Sequence, residues 1–297
     1  MFIRDLFSIK SPVISFEIFP PKKEYPIEVV YDTIEGLEEL NPDFISVTYG
    51  AGGSSKDRTI EMASKIKNEY KIEALAHLTC YTSTRAETES ILKELKINNV
   101  NNILALRGDP PAHGFEYKKD YEYAKDLIKH INEFGDFSIG AACYPEGHIE
   151  CDSLNKDIEN LKQKVYCGVD FLITQLFFDN EKFYNYRDKL IKKGIDIPIM
   201  AGIMPVLNKN QIKKMVYLSG SSLPKKFIRI IDKYEYQPEA LKEAGIIYAA
   251  EQIIDLLSWG VEGIHLYTMN KPDVANRIIG GISKIRCAVT EEKECII

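Results

Sequence analysis

The sequence predicts an α/β fold, a closed (β/α)8 TIM barrel with an elaborated crossover before the last strand, on three observations. Eight short β-rich apolar runs recur along the 297 residues, amphipathic helical patterns separate them, and polar side chains stand at the C-terminal ends of nearly all the runs. Near-continuous apolar strands alternating with helices read as a parallel sheet buried on both faces, because parallel strands need crossover connections. Eight such units in one chain of this length favour closure into a barrel over an open doubly wound sheet.

The runs are VISFEIFPP from 13, FISVTYG from 44, EALAHLTC from 73, NNILALRGD from 101, FSIGAACYPE from 137, FLITQLFFD from 171, IPIMAGIMP from 197 and GIHLYTMN from 263. Between them, Val30, Ile34 and Leu37, or Ile91, Leu92 and Leu95, recur at the spacing of a helix with one buried face. Thr84 with Glu87 three residues on reads as a capping box. More than fifty residues separate the seventh run from the eighth, with helical patterns at 208–218, 223–233 and 237–258. That is the elaborated crossover. No linker, repeat or low-complexity stretch interrupts it, so residues 1–297 are expected to form a single barrel domain. The tail after Glu291 is expected to fray.

Composition bounds the function. With 45% hydrophobic and 28% charged residues the chain can bury a full core. A net charge of −6 and a pI near 5.6, on well-mixed charges, give no attraction for nucleic acid or an anionic membrane surface. Small molecules are the expected partners. Met1 to Lys10 is too short and too charged for a signal peptide, and no apolar run approaches the roughly 20 residues that span a bilayer. The six cysteines form no C-x-x-C pair and are not grouped with histidines, which reads as reduced thiols in a cytoplasmic protein without a zinc site. The five histidines are scattered and imply no metal centre.

Candidate site residues are the polar interruptions: Glu17 in the first run, Thr48 and Tyr49 in the second, His77 and Thr79 in the third, Arg107 and Asp109 in the fourth. Tyr144 and Glu146, Gln175, and Tyr267 with Asn270 continue the set. A barrel brings these positions to its C-terminal face, where enzymes of this fold keep their chemistry. Taken singly, each is equally well read as a satisfied buried polar group. Glu17, flanked by Phe16, Ile18 and Phe19, is costly to bury ionised; a raised pKa suited to general acid work is expected, the alternative being a salt bridge to Arg or Lys of a neighbouring strand. Arg107, Gly108 and Asp109 combine a cation, a flexible backbone and a carboxylate, a set able to bind phosphate and a polar ring edge. His77 by itself reads as a core histidine.

The loop GAGGSSKDRT from 50 matches neither the P-loop nor the dinucleotide fingerprint and reads as a lid or turn. Without that fingerprint, any nicotinamide or flavin must be held differently. After CYPEGHIE, a helix carries Asp157, Asn160 and Lys164 on one face and Ile158, Leu161 and Val165 on another. The apolar stripe is core; the polar stripe reads as a solvated face.

The motifs together are more specific than any one alone. SFEIFPPK from 15, FISVTYGAGG from 44 leading to DRT at 57, AHLTC from 76 and ALRGDPP from 105 are followed by AACYPEGH from 141, ITQLFFD from 173, GIMPV from 202 and HLYTMNK from 265. In this order and spacing they resemble the methylenetetrahydrofolate reductases over nearly the whole chain. The resemblance implies a (β/α)8 barrel that holds FAD non-covalently without a Rossmann domain. It also implies two-stage hydride transfer: NADH or NADPH reduces the flavin and leaves, then methylenetetrahydrofolate takes its place and becomes methyltetrahydrofolate.

On the matching positions, Glu17 is implied as the acid that protonates a folate ring nitrogen, Asp109 as the carboxylate near flavin and pterin, and Gln175 as the amide meeting both alternating ligands. Thr48, Tyr49, Ala51, His77, Arg107, Gly108, Asp109, Ala124, Tyr144, His148, Asp157, Asn160 and Lys164 fall on flavin-contacting positions, which reverses the solvated reading of the stripe at 157–164. Gln211, Tyr267 and Lys271 fall on the substrate side. Three departures bear on affinity: Met215 where an aromatic often packs on substrate, Lys271 where an arginine often meets the folate tail, and Gln163 in place of a basic residue near the cofactor phosphates. A homo-oligomer is implied, and control by a long regulatory extension is not expected. Three other readings are a pterin-dependent methyltransferase without flavin, a flavin subunit reduced only through an electron-transfer partner subunit, and a non-catalytic folate-binding module.

Overall fold

In the computed structural model, which describes residues 1–22, 24–49, 56–109 and 120–294, eight parallel strands close in sequential order into a barrel. They are β1 (Val13–Ile18), β2 (Phe44–Val47), β3 (Glu73–Thr79), β4 (Asn102–Leu106), β5 (Ser138–Cys143), β6 (Phe171–Thr174), β7 (Ile199–Ile203) and β8 (Gly263–Tyr267). The helices are α1 (Ile3–Ile9), α2 (Tyr31–Glu38), α3 (Lys56–Asn68), α4 (Arg85–Ile97), α5 (Ala124–Phe134) and α6 (Leu154–Tyr166). There follow α7 (Asn180–Lys192), α8 (Lys209–Ser219), α9 (Lys225–Tyr234), α10 (Pro238–Trp259) and α11 (Pro272–Glu294). Each expected strand is present, and the capping box opens α4, with the Glu87 amide donating to Thr84 Oγ1 at 3.3 Å and the Thr84 amide donating to Glu87 Oε2 at 2.9 Å.

Alternation along each strand sorts side chains between two cores. Ile14, Phe16, Ile18, Ile45, Val47 and Ile264 face outward and pack with the helices. Val13, Phe44, Leu75, Leu104, Phe171, Ile173 and Met200 fill the lower barrel interior together with Ile3 and Leu6 of α1. The interior is tight: a Cβ at Gly140 would lie 2.7 Å from the Phe171 ring.

The sequence did not signal α1. It closes the bottom of the barrel, where the Ile3 amide donates to Asn102 Oδ1 at 2.8 Å and the Arg4 amide to Ser138 Oγ at 3.0 Å. The elaborated crossover is α8, α9 and α10, within two residues of the expected patterns. Leu176, Phe178, Met204, Val206, Ile212, Phe227 and Tyr248 form the separate apolar cluster that seats it. Backbone approaches closely there, since a Cβ at Gly245 would lie 1.8 Å from the Val206 carbonyl oxygen. α11 extends to Glu294, which corrects the expected fraying for residues 291–294. Among the described residues no helix is long and apolar enough to cross a membrane.

Candidate active site

Strand parity places Glu17 in the barrel mouth. It follows Val13 and Ser15 on the inward face of β1, and its backbone pairs with Ser46 of β2 and Tyr267 of β8. Glu17 Oε2 lies 3.4 Å from Nε2 of His265 and 3.6 Å from Nε2 of His77. His265 is fully buried, and its Nδ1 lies 2.7 Å from Ser15 Oγ, which is also 3.5 Å from the Ile264 carbonyl oxygen. The partners of Glu17 are therefore histidines rather than an Arg or Lys.

This corrects the expected raised pKa. Burial does push the Glu17 carboxyl up, but the His265 hydrogen bond and the charges of His77 and His265 hold it below the ordinary carboxylate range. Phe16 and Ile18, adjacent in sequence, point away into the outer core and are not its surroundings. Burial pushes His77 down to about 4, against the pull of Glu17. His77 is thus neutral near pH 7 and adds no charge to that pull there. His77 Nε2 has no hydrogen-bond partner.

The Ser15–His265–Glu17 line can store a proton in two ways. With Glu17 ionised, an imidazolium at His265 donates from Nε2 to the carboxylate and from Nδ1 to Ser15 Oγ. With the proton moved to Glu17 Oε2, the neutral imidazole accepts it back at Nε2 and keeps its Nδ1 hydrogen on Ser15, whose hydroxyl turns to Ile264.

The described residues proposed to contact flavin stand on or just after β2 to β5, at the start of α5 and along α6. The Thr48 amide donates to the Ile18 carbonyl at 3.0 Å, and its own carbonyl accepts from Thr59 Oγ1 at 3.0 Å. Half-buried Tyr49 is pushed up to about 12 by burial and then by Asp57 and Glu87. Ala51, like the rest of the loop at 50–55, lies outside the described residues. Arg107 Nη1 lies 2.5 Å from Glu150 Oε2, and Asp109 is exposed at the mouth. Gly108 has φ +81°, and a Cβ there would meet the Thr79 Cβ at 3.0 Å, so the backbone approach needs glycine. Ala124 opens α5 and is buried.

Tyr144 stands edge-on to His148, centroids 4.7 Å apart, and burial followed by the charge of Asp157 pushes its hydroxyl pKa well up. His148 Nδ1 accepts from the Glu150 amide at 3.1 Å. On α6, Asp157 is only 8% exposed, and Lys164 Nζ donates to the Ala142 carbonyl at 2.7 Å. Burial raises Asp157, with Lys164 opposing, and lowers Lys164, with Cys143 and Asp157 opposing. These two are not a solvated stripe; only Asn160 is exposed. Exposed Gln163 accepts from Lys125 Nζ at 3.1 Å, so a cation stands beside the position that lacks one.

On the expected substrate side, Gln175 Oε1 accepts from the Leu176 amide at 2.9 Å, which leaves the amide NH2 as its available donor. Both ends of Gln211 are engaged, accepting from the Leu207 amide at 2.8 Å and donating to the Pro205 carbonyl at 3.4 Å. Met215 packs against the crossover cluster. Tyr267 donates to the Thr174 carbonyl at 2.7 Å, crossing over Gly202, where a Cβ would lie 2.8 Å from the Tyr267 hydroxyl oxygen. Lys271 is exposed and its carbonyl accepts from Val274 at the start of α11 at 3.1 Å.

The structure thus brings Glu17, His77 and Tyr267 together around His265, and sets Lys271 apart at the rim. Sequence reasoning missed Ser15 and His265. The available signal was period-two spacing, Ser15 before Glu17 and His265 before Tyr267, which places each pair on one interior face. Among the described residues no group of three or more His, Cys, Asp or Glu is arranged to hold a metal ion.

Comparison with known proteins adds relatives to this geometry. The family model described as methylenetetrahydrofolate reductase matches residues 3–282. The 5,10-methylenetetrahydrofolate reductase of Pectobacterium carotovorum is 37% identical over 265 residues, covering 89% of this chain and 88% of that protein. That of Escherichia coli K12 is 37% identical over 266 residues with the same coverage. Methylenetetrahydrofolate reductase (NADH) 1 of Arabidopsis thaliana is 36% identical over 271 residues, 86% of this chain but 46% of the plant protein. Among solved structures, a Clostridium thermocellum protein described as binding two copies of 5-methyl-5,6,7,8-tetrahydrofolic acid superposes with a TM-score of 0.67 at 15% identity, covering 97% of this chain and 100% of that one. At that identity the likeness speaks for the fold alone.

Proposed function

The chain belongs to the methylenetetrahydrofolate reductase family, a family of oxidoreductases, and from that premise we propose that it reduces 5,10-methylenetetrahydrofolate to 5-methyltetrahydrofolate with NADH or NADPH as reductant and non-covalent FAD as carrier. The overall change consumes one hydride and one proton: methylenetetrahydrofolate, NAD(P)H and H⁺ give methyltetrahydrofolate and NAD(P)⁺. The observation that carries the reading is the Glu17–His265–Ser15 line, with Oε2 to Nε2 at 3.4 Å and Nδ1 to Oγ at 2.7 Å, inside the mouth of a barrel of this family.

The described residues fit a flavin nucleotide. Buried Asp157, half-buried Lys164, the cation of Arg107, the glycine approach at Gly108 and His77 Nε2, which has no hydrogen-bond partner, offer charges and hydrogen-bond sites to it. Bound FAD would supply a two-electron carrier between the nicotinamide and the folate. The protein's residues then divide the remaining work. Arg107 and Lys164 hold negative charge, His148, Tyr144, Asp157 and Asn160 orient the cofactor from the β5–α6 side, and Thr48, Tyr49, His77, Gly108 and Ala124 complete its walls, Ala51 being assigned to the cofactor by the family resemblance alone.

Glu17 gives the proton at Oε2 to a folate ring nitrogen, so that the five-membered ring opens to an electrophilic iminium. His265, held by Ser15, resupplies that proton. The acid is therefore a carboxyl–imidazole pair rather than a lone carboxyl kept neutral by apolar neighbours. Asp109 meets the pterin edge, and the Gln175 amide, uncharged, serves both alternating ligands. Tyr267 forms a floor beneath them, and Gln211 holds the loop between β7 and α8. Lys271 offers a point charge to the folate tail, reinforced by the positive end of α11. The same reading carries a cytoplasmic location and self-association, the latter measurable by sedimentation.

An absorbance spectrum of the purified protein tests the proposal. Flavin bands that NADH or NADPH bleaches without oxygen and methylenetetrahydrofolate restores are expected. A colourless protein unable to take up FAD would instead favour a pterin-dependent methyltransferase. Flavin bands bleached only when an electron-delivering protein is added would favour the partner-dependent reading.

A further inference from the structure

The turn after β8 is tied to the chain at the Glu17 carbonyl and at Phe19 just beyond it. Thr268, fully buried, donates from Oγ1 to the Glu17 carbonyl at 2.6 Å and accepts from the Asn270 amide at 3.2 Å. Asn270 Oδ1 accepts from the Phe19 amide at 3.0 Å, and its Nδ2 donates to the Phe19 carbonyl at 2.9 Å. The side chain of Asn270 thus pairs with Phe19 as a strand residue would. The Lys271 amide closes the turn by donating to the Thr268 carbonyl at 3.1 Å.

This arrangement is held against a local cost. Met269 and Asn270 have φ of +56° and +53°, a region that non-glycine residues rarely occupy. Asparagine is the residue type that tolerates this conformation while offering both a donor and an acceptor. Barrel closure does not require the turn, because β1 and β8 already pair through five residues from Val13↔Gly263 to Glu17↔Tyr267. The ties begin where that ladder ends. The carboxylate of Glu17, by contrast, has only contacts of 3.4 and 3.6 Å to histidines, so its height in the mouth is set by its backbone.

We propose that Thr268 and Asn270 are positioning residues for the folate half-reaction: they fix the Glu17 backbone against the turn that also bears Lys271, so that the acid and the residue reaching for the folate tail move as one unit. The inference rests on the proposed reduction and on Glu17 as its acid. Misplacement of a reacting group by about 1 Å can cost on the order of 10²-fold in rate. The step by which NADH reduces the flavin needs no acid from Glu17 and is indifferent to this fixation.

The test uses full-length, FAD-replete protein and measures the two half-reactions separately without oxygen. T268V removes the hydroxyl at nearly constant shape, T268S keeps it, and N270G keeps the backbone freedom while deleting both ties. T268V and N270G are expected to slow flavin reoxidation by methylenetetrahydrofolate about tenfold or more and to displace its pH profile, with reduction by NADH within about twofold of wild type. T268S is expected to behave as wild type. The rise in melting temperature on adding methyltetrahydrofolate should shrink in N270G, because the turn bearing Lys271 is loosened. Equal losses in both half-reactions, an unchanged folate step, or failure of T268V and N270G to fold would each overturn the assignment. A wild-type protein that is not reoxidised by the folate would instead refute the underlying reduction.

Discussion

The two ends of the barrel treat their polar groups differently. At the bottom, Arg4 donates to the Phe137 carbonyl at 3.1 Å and to Asp136 at 2.9 Å, and Asn102 accepts from the Ile3 amide at 2.8 Å. Buried Arg187 meets Glu262 at 2.6 Å and Asp196 at 3.1 Å; only the second carboxylate oxygen of Glu262 lacks a partner. At the top, His77 Nε2 has no hydrogen-bond partner, and Glu17 has two contacts beyond 3.3 Å. An unmet buried polar group costs about 1–3 kcal/mol. Bottom groups complete one another, whereas His77 and Glu17 at the top keep polar capacity that the proposed ligands would meet, a difference that would separate residues that hold the fold from residues that work.

That contrast can be broken by mutation at either end. The largest effect is expected at the top: Glu17→Gln should lower steady-state methylenetetrahydrofolate reduction by about 10³-fold, within the usual range for loss of a general acid. Asp109→Asn should follow, lowering the folate step more than the nicotinamide step in the same assay; equal losses would mean that it only positions the flavin. Asn102→Ala at the bottom should do the reverse. It leaves the Ile3 amide without its acceptor, so denaturant unfolding should show a loss of about 1–3 kcal/mol, with kcat per folded molecule unchanged.

Acid titration separates the ends more finely. His77 is pushed from 6.5 to about 4, so the unfolded chain binds more protons there and stability falls as pH drops from 6.5 toward 4. Glu17, held below its ordinary value of 4.5, contributes stability above that value and loses it as pH falls through its folded pKa, in the same direction. His77→Asn should flatten the decline between pH 6.5 and 4 in thermal melts. The smallest effect is expected at the surface near the cofactor position. Lys125→Ala should weaken FAD retention by a few-fold and in a salt-dependent way, as suits a partly solvated cation.

The barrel was legible in the sequence because its strands are apolar on both faces and its helices carry one apolar stripe. The seven-residue α1 was not, since Ile3 and Leu6 beside Arg4 and Asp5 give too short a period to read. Glu17 was legible as a site and misread in its surroundings. Its sequence neighbours Phe16 and Ile18 point to the opposite face, and the groups that set its protonation, His77 and His265, come from β3 and β8. Asp157 and Lys164 were misread by composition for a related reason: polarity along a helix does not say whether the face meets water or the mouth of a barrel.

The most direct test of the central claim is the anaerobic reoxidation of NADH-reduced Glu17→Gln protein by methylenetetrahydrofolate, followed by flavin absorbance in a single turnover. The account predicts normal bleaching by NADH and reoxidation slowed by about 10²–10⁴-fold, because only the second half-reaction draws a proton from Glu17. Reoxidation at the wild-type rate would contradict it.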